Sequence, residues 1–360
     1  MSSHERSRDK LLAVARALGL FGLSRLLTAR GVRILCYHGA WLAADGFAGD
    51  SMFIQPRTFE RRLDALQALG YRVVPLSEAV DGLAGRKPLP DAAVVITIDD
   101  GWLSTAQAMV PRLADRRLPA TLYCDTAQLL DGKPIANMMA LHFWGRTSQA
   151  RRTTAAKAAF ERAMNFDAPM AERMNGLREL AAEVGIDIDP YLDDKCFDYM
   201  TPEELRAVGK RGIDIQLHSH NHTLHDFSEA AIGEEIGLNR DVLVELTGKP
   251  RADLVHFCYP SGMVRRGAGQ ALGAIGIASS VTLDSGIAFP GGDIHALPRI
   301  TDGDHLSELM FEAELSGFMH IVRRARLWLP GFARRGAREG AAAQELAGDS
   351  SGAGVGVRRG

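Results

Sequence analysis

Two short segments carry most of the chemistry that this sequence can offer. One is an apolar run, Val94 to Ile98, that ends in Asp99, Asp100 and Gly101. The other follows the β-like run Ile213 to Leu217 and reads His218-Ser219-His220-Asn221-His222. In α/β proteins, ligand and catalytic groups gather where strands end, so carboxylates at one strand end and histidines at another can share a pocket. Carboxylate and imidazole together suit zinc or another divalent first-row metal. Neighbouring side chains on a strand point to opposite faces, so Asp99 and Asp100 are expected to do different jobs. Gly101 permits a sharp exit from the strand. Taken by itself, the aspartate pair also fits a strand-end turn capping the next helix. The histidines have two geometries open to them. Period two would place all three on one face, whereas a helical turn would bring His218 and His222 together at i, i+4. Three histidines in five residues, with His225 close by, favour a metal site over a solvated loop.

The elements that must position these groups alternate. Strand-like runs are read at Val32–Tyr37, Tyr71–Val74, Val94–Ile98, Ala120–Cys124, Ile213–Leu217, Leu254–Tyr259, Ile277–Leu283 and Leu297–Ile300. Helical stretches between them include Pro56–Leu69, Ser104–Arg117, Glu229–Leu246 and Leu306–Gly317. Residues 130–200 break the rhythm and read as a helical insertion. The alternation predicts mostly parallel strands, as a closed barrel or an open sheet. No GxGxxG follows the first strand, which removes the usual dinucleotide signal.

The whole chain bounds the partners. With 360 residues it can bury a full core, and 44 acidic against 42 basic residues give no reason to expect nucleic acid. Cys36, Cys124, Cys196 and Cys258 lie far apart without a CxxC pair, so buried thiols and a reducing compartment are expected. No clean signal peptide or spanning helix is read, and a cytoplasmic location is expected. Residues 1–30 are expected to form an amphipathic helix, 31–318 the catalytic domain, and 319–360 a basic segment and disordered tail. The basic clusters, Arg16 and Arg25 at one end and Arg323 to Arg338 around Trp328 at the other, suit peripheral contact with an anionic membrane.

The pattern resembles the polysaccharide deacetylase family (carbohydrate esterase family four). That family carries T-F-D-D-G, then H-S/T-x-x-H, then R-x-P-Y-G, and in one branch a late Leu-Pro-Arg segment. Here Thr97-Ile98-Asp99-Asp100-Gly101 stands first, with Ile98 for the phenylalanine, and His218 to His222 second. Cys258-Tyr259-Pro260-Ser261-Gly262 stands third and Leu297-Pro298-Arg299-Ile300 last, while Tyr37-His38 resembles one branch. The resemblance spans residues 31 to about 318. It implies a distorted (β/α) barrel of about seven parallel strands and removal of N- or O-acetyl groups from an N-acetylated polysaccharide or its lipid-linked precursor. It further implies a divalent metal, usually zinc, on Asp100, His218 and His222, with Asp99 as general base and the Ser261 amide as oxyanion donor.

This sequence departs from the family in the third motif, where Cys258 replaces the arginine and Ser261 the tyrosine. Arg299 is the residue expected to supply the missing charge to Asp99. The family's late L-x-x-H histidine is not recognisable, which leaves His38, His295 and His305 as candidate proton donors. Two other hydrolytic or binding readings use the same residues: a hydrolase of small amides, and a catalytically silent sugar-binding relative. A non-haem iron oxygenase would also use one carboxylate and two histidines, but the β/α rhythm argues against its scaffold.

Overall fold

The computed structural model describes residues 3–328 apart from 44, 49–51, 133, 166–167, 225–227 and 266. His225, the tail beyond residue 328, and the basic residues Arg334, Arg335 and Arg338 lie outside the described residues.

Seven parallel strands close into a barrel in sequence order. They are β1 (Arg33–Tyr37), β2 (Val94–Ile98), β3 (Thr121–Cys124), β4 (Asp214–Leu217), β5 (His256–Cys258), β6 (Ser279–Ser285) and β7 (Leu297–Thr301). β1 and β2 pair over five residues, from Arg33 with Val94 to Tyr37 with Ile98, and β7 closes the ring on β1 through Leu35 with Ile300. The closure is uneven: β4 and β5 share the single pair Leu217 with Phe257. Strand alternation divides the apolar residues between two cores. Leu35, Ile96, Ile98 and Leu122 pack in the larger core, while Ile34, Val95, Tyr123 and Cys258 pack with the helix Leu76–Leu83 in the smaller. This inside–outside alternation is what a filled small barrel requires.

The structure modifies several local expectations. Tyr71–Val74 is not a strand. Only Val73 bridges to Val94 there, so the segment lacks a second pairing residue. The stretch after Gly101 begins as a π-helix, Thr105–Met109, and continues as the α-helix Val110–Asp115. The N-terminal segment is two helices, Ser3–Ala17 and Leu20–Leu27, broken at Gly19 in the left-handed region. A short parallel ladder of Gly39–Ala40 with Phe53–Ile54 follows β1 and has no clear sequence signal.

The insertion between β3 and β4 contains the helices Ala136–Arg146, Thr154–Met164 and Met170–Val184. Its aromatic residues His142, Tyr191 and Phe197 surround Trp41, which anchors the loop after β1. Its last residues return to the end of β2. Leu103 N–H donates to Asp198, Met200 N–H donates to Gly101, and Trp102 bridges to Tyr199. The insertion therefore braces the turn that carries the aspartate pair.

Candidate active site

Asp99, Asp100, His38 and the histidine loop all stand at the carboxyl ends of barrel strands. The turn after β2 places Asp100 at φ 74° and Gly101 at φ 123°. A Cβ on Gly101 would also come within 3.0 Å of the Cys124 sulfur. The left-handed twist at Asp100 separates the two carboxylates, as their different roles would need. Ser219, His222 and Ser261 also have positive φ. Such backbone costs about 1–3 kcal/mol per residue and persists where its surroundings over-determine it. Asp100, Ser219, His222 and Ser261 thus concentrate strained backbone in the three loops that carry the motifs.

Asp100, His218 and His222 converge. Asp100 Oδ1 lies 3.3 Å from Nε2 of each histidine, and their candidate ligand atoms all lie within 4.8 Å of one another. His218 Nδ1 lies 2.8 Å from the Cys258 carbonyl, which leaves Nε2 as the lone-pair nitrogen facing Asp100 in the neutral ring. Trp102 Nε1–H donates to Asp100 Oδ2 at 2.8 Å and fixes the carboxylate plane. Asp100 Oδ1, although buried, receives no directed hydrogen bond. A buried carboxylate oxygen facing two imidazole nitrogens is the donor set a divalent cation fits. The charges agree. Burial opposes ionisation of Asp100, but the two histidines outweigh it and hold its pKa well below the usual carboxylate range. Burial likewise opposes the His222 cation, yet Asp100 lifts its pKa to about 9. In the metal-free chain a proton on His222 thus supplies positive charge to the pocket.

Asp99 is held differently. Arg299 Nη1 and Nη2 donate to its two oxygens at 2.8 and 2.7 Å. The guanidinium is fully buried and is itself tied to the Thr282 carbonyl and the Thr97 hydroxyl. Thr97 on β2 and Asp99 just past its end, two residues apart, meet the same arginine. Burial would raise the Asp99 pKa, but Arg299 overcomes it and the net direction is down. The Cys258 sulfur sits 3.3 Å from Arg299 and 3.4 Å from Asp99. The short thiol leaves room for a guanidinium arriving from β7. His38 completes this side, with Nε2 3.8 Å from Asp99 Oδ2.

The other sequence candidates separate. His295 packs by Gly269 and Ser280, and His305 lies near Arg62 and Asp304, so neither is placed at Asp99. His220 lies outside the triad, with Nδ1 2.8 Å from the Thr126 hydroxyl. Ser261 lies in a tight turn whose own bonds run from Gly262 N–H to Tyr259 and from Met263 N–H to Pro260; neither uses the Ser261 amide. All four cysteines are buried and unbridged, as expected.

Three supporting residues escaped sequence reasoning. Buried Asn239 accepts from His218 N–H and donates to the Cys124 carbonyl and the Thr126 hydroxyl, which ties the loops after β3 and β4. Asp125 is buried beside the triad, receives the Tyr199 hydroxyl at 2.9 Å, and is pushed by burial up to about 7. Trp102 is the third. The contacts of Asn239 and Asp125 are tertiary and leave no local pattern beyond the position of Asp125 at a strand end, whereas Trp102 acts two residues from Asp100 and its place beside the aspartate pair was a usable signal.

A closed parallel barrel thus carries paired aspartates and histidines at its carboxyl-terminal mouth. The polysaccharide deacetylase profile matches residues 86–279, and the chain belongs to that family. The matched segment contains the aspartate pair and the histidine loop but stops short of Arg299, and it begins after His38. Several solved structures share the fold. The deacetylase PplD of Streptococcus pyogenes, solved in complex with acetate, is 17% identical, with a TM-score of 0.55 over 80% of this chain and 99% of that one. IcaB from Ammonifex degensii is 21% identical, with a TM-score of 0.54 over 80% and 98%. A de-N-acetylase from Aggregatibacter actinomycetemcomitans is 14% identical, with a TM-score of 0.53 over 79% and 99%. No curated protein sequence matches.

Proposed function

We propose that the protein is a metal-dependent deacetylase that removes acetyl groups, chiefly N-acetyl, from a polysaccharide or its lipid-linked sugar precursor in the cytoplasm. The observation that carries this reading is the division of labour between adjacent aspartates: Asp100 faces two imidazole nitrogens, and Asp99 is gripped by a guanidinium. Asp100, His218 and His222 would hold the divalent ion, with zinc the expected metal. When bound, such an ion polarises a carbonyl and makes water a usable nucleophile near neutral pH.

The chain's own residues supply the proton movements. Asp99, kept ionised by Arg299, accepts the proton of the attacking water. His38 would protonate the departing amine, since of the three candidate histidines it is the one half-buried beside Asp99. The Ser261 amide is the assigned donor to the carbonyl oxygen as it gains charge.

The test is acetate release from an N-acetylated glucosamine polymer, with and without chelator and with zinc restored. Asp99→Asn should retain metal and lose about 10²–10⁴-fold in turnover, the usual contribution of a general base. Full activity in chelator, or in Asp99→Asn, would overturn the reading.

A further inference from the structure

We propose that the N-terminal helix pair docks the protein on an anionic lipid bilayer, on the side of the barrel away from the catalytic mouth. Each helix has two apolar stripes. Leu12, Ala15 and Phe21 face the protein and pack with Met310, Ala313 and Phe318. The second stripe has no cover among the described residues: Leu11, Val14, Leu18, Leu23, Leu26 and Leu27 are between 51% and 75% exposed. Leu11, Val14 and Leu18 recur at i, i+3, i+7, as do Leu20, Leu23 and Leu27, so each set forms a face.

Charge selects the occupant. Residues 1–30 carry exposed Arg6, Arg8, Lys10 and Arg30 against Glu5 and Asp9, while Arg16 pairs with Glu312 and Arg25 is turned onto the Leu69 and Gly70 carbonyls. Arg6, Lys10 and Val14 follow one another at i, i+4, so a basic row borders the apolar stripe. The helix Phe318–Trp328 packs against the second N-terminal helix through Phe318 on Phe21 and brings exposed Arg324 and Arg326 to the same region. A second copy of the chain would press one basic rim against another, whereas an anionic bilayer accepts both leucines and cations.

The orientation follows from the start of β1. Arg33, its first residue, donates to the carbonyls of Thr28, Gly31 and Leu315. Ala92, just before β2, donates to Ala29. The second helix therefore ends at the amino-terminal rim of the strands, opposite Asp99 and the histidines.

The test is sedimentation of the full chain with phosphatidylcholine vesicles made with and without phosphatidylglycerol. Binding is expected to the anionic vesicles alone and to weaken with added salt. Leu26→Glu with Leu27→Glu, and separately Lys10→Glu with Arg324→Glu, should each reduce bound protein by about tenfold. Turnover of a soluble substrate should stay at the wild-type level in both variants, so loss of binding would not reflect misfolding or the catalytic reading. Recovery of the wild type in the supernatant with both vesicles, or undiminished binding by the leucine variant, would overturn the proposal. So would a dimer by light scattering that the leucine variant abolishes, since a second copy would then be the occupant.

Discussion

Arg299 grips Asp99 with both terminal nitrogens, at 2.8 and 2.7 Å, although they lie on strands separated by β1. A nearby cation favours the ionised carboxylate. Arg299→Met should therefore raise the Asp99 pKa. Because the base works when ionised, the acidic limb of the pH–rate profile should move to higher pH and the neutral rate should fall. An unmoved limb would leave Arg299 with a packing role only. Cys258→Arg alone should also inactivate, since two buried guanidinium groups would contend for one carboxylate. The double variant, Cys258→Arg with Arg299→Met, should recover activity relative to either single change.

His218→Ala should remove most bound metal, as measured by elemental analysis after dialysis against zinc. Wild-type protein should melt at a higher temperature with zinc than with chelator, and the variant should lose that difference. Affinity should also depend on pH. His222 is protonated below about 9 in the metal-free chain and must lose that proton to ligate. Zinc affinity should accordingly climb between about pH 6 and 9, with proton release seen by calorimetry in buffers of different ionisation enthalpy. Equal affinity at both ends of that range would remove His222 from the ligand set.

Trp102→Phe keeps the aromatic ring against Phe53 and Tyr199 but deletes the N–H that orients Asp100. Outer partners of metal ligands are commonly worth about 10–100-fold in affinity. A competition titration with a chromogenic chelator should show weakening of that order. Wild-type affinity would mean that the backbone turn alone orients the carboxylate.

His38→Gln should separate substrates by their leaving groups. An amide needs its nitrogen protonated before it departs, whereas an aryl acetate does not. Turnover of the N-acetyl substrate should drop by about 10²-fold or more, while p-nitrophenyl acetate should be cleaved near the wild-type rate. An equal loss on both would assign His38 to holding Asp99 in place.

The parts of the site legible in the sequence are those packed into short runs. Asp99 and Asp100 end an apolar strand, and His218 and His222 lie within one loop, so type and spacing reveal them. The sequence leaves both a continued strand and a helical turn open for the histidines; in the structure positive φ at Ser219 and His222 brings His218 and His222 together. Asn239 and Tyr199 could not be read, because each acts from a distant element through a contact that only the folded chain creates. The barrel strands were readable from their apolar runs. Tyr71–Val74 has the same composition as a strand but no ladder to join, and composition cannot report a missing neighbour.

Arg299 and Cys258 also constrain how such a site can be inherited. Arg299 delivers one guanidinium to Asp99 from β7, beside the β5 position held by Cys258. An ancestor moving the guanidinium from one strand to the other would pass through a chain with two guanidinium groups or with none. The first crowds like charges into a buried pocket, and the second leaves Asp99 buried without its cation. If the double variant recovers activity as expected, each intermediate is worse than either endpoint and the two substitutions are epistatic in sign. Lineages on the two sides of that barrier would keep their aspartates and histidines aligned while their arginines occupy different columns.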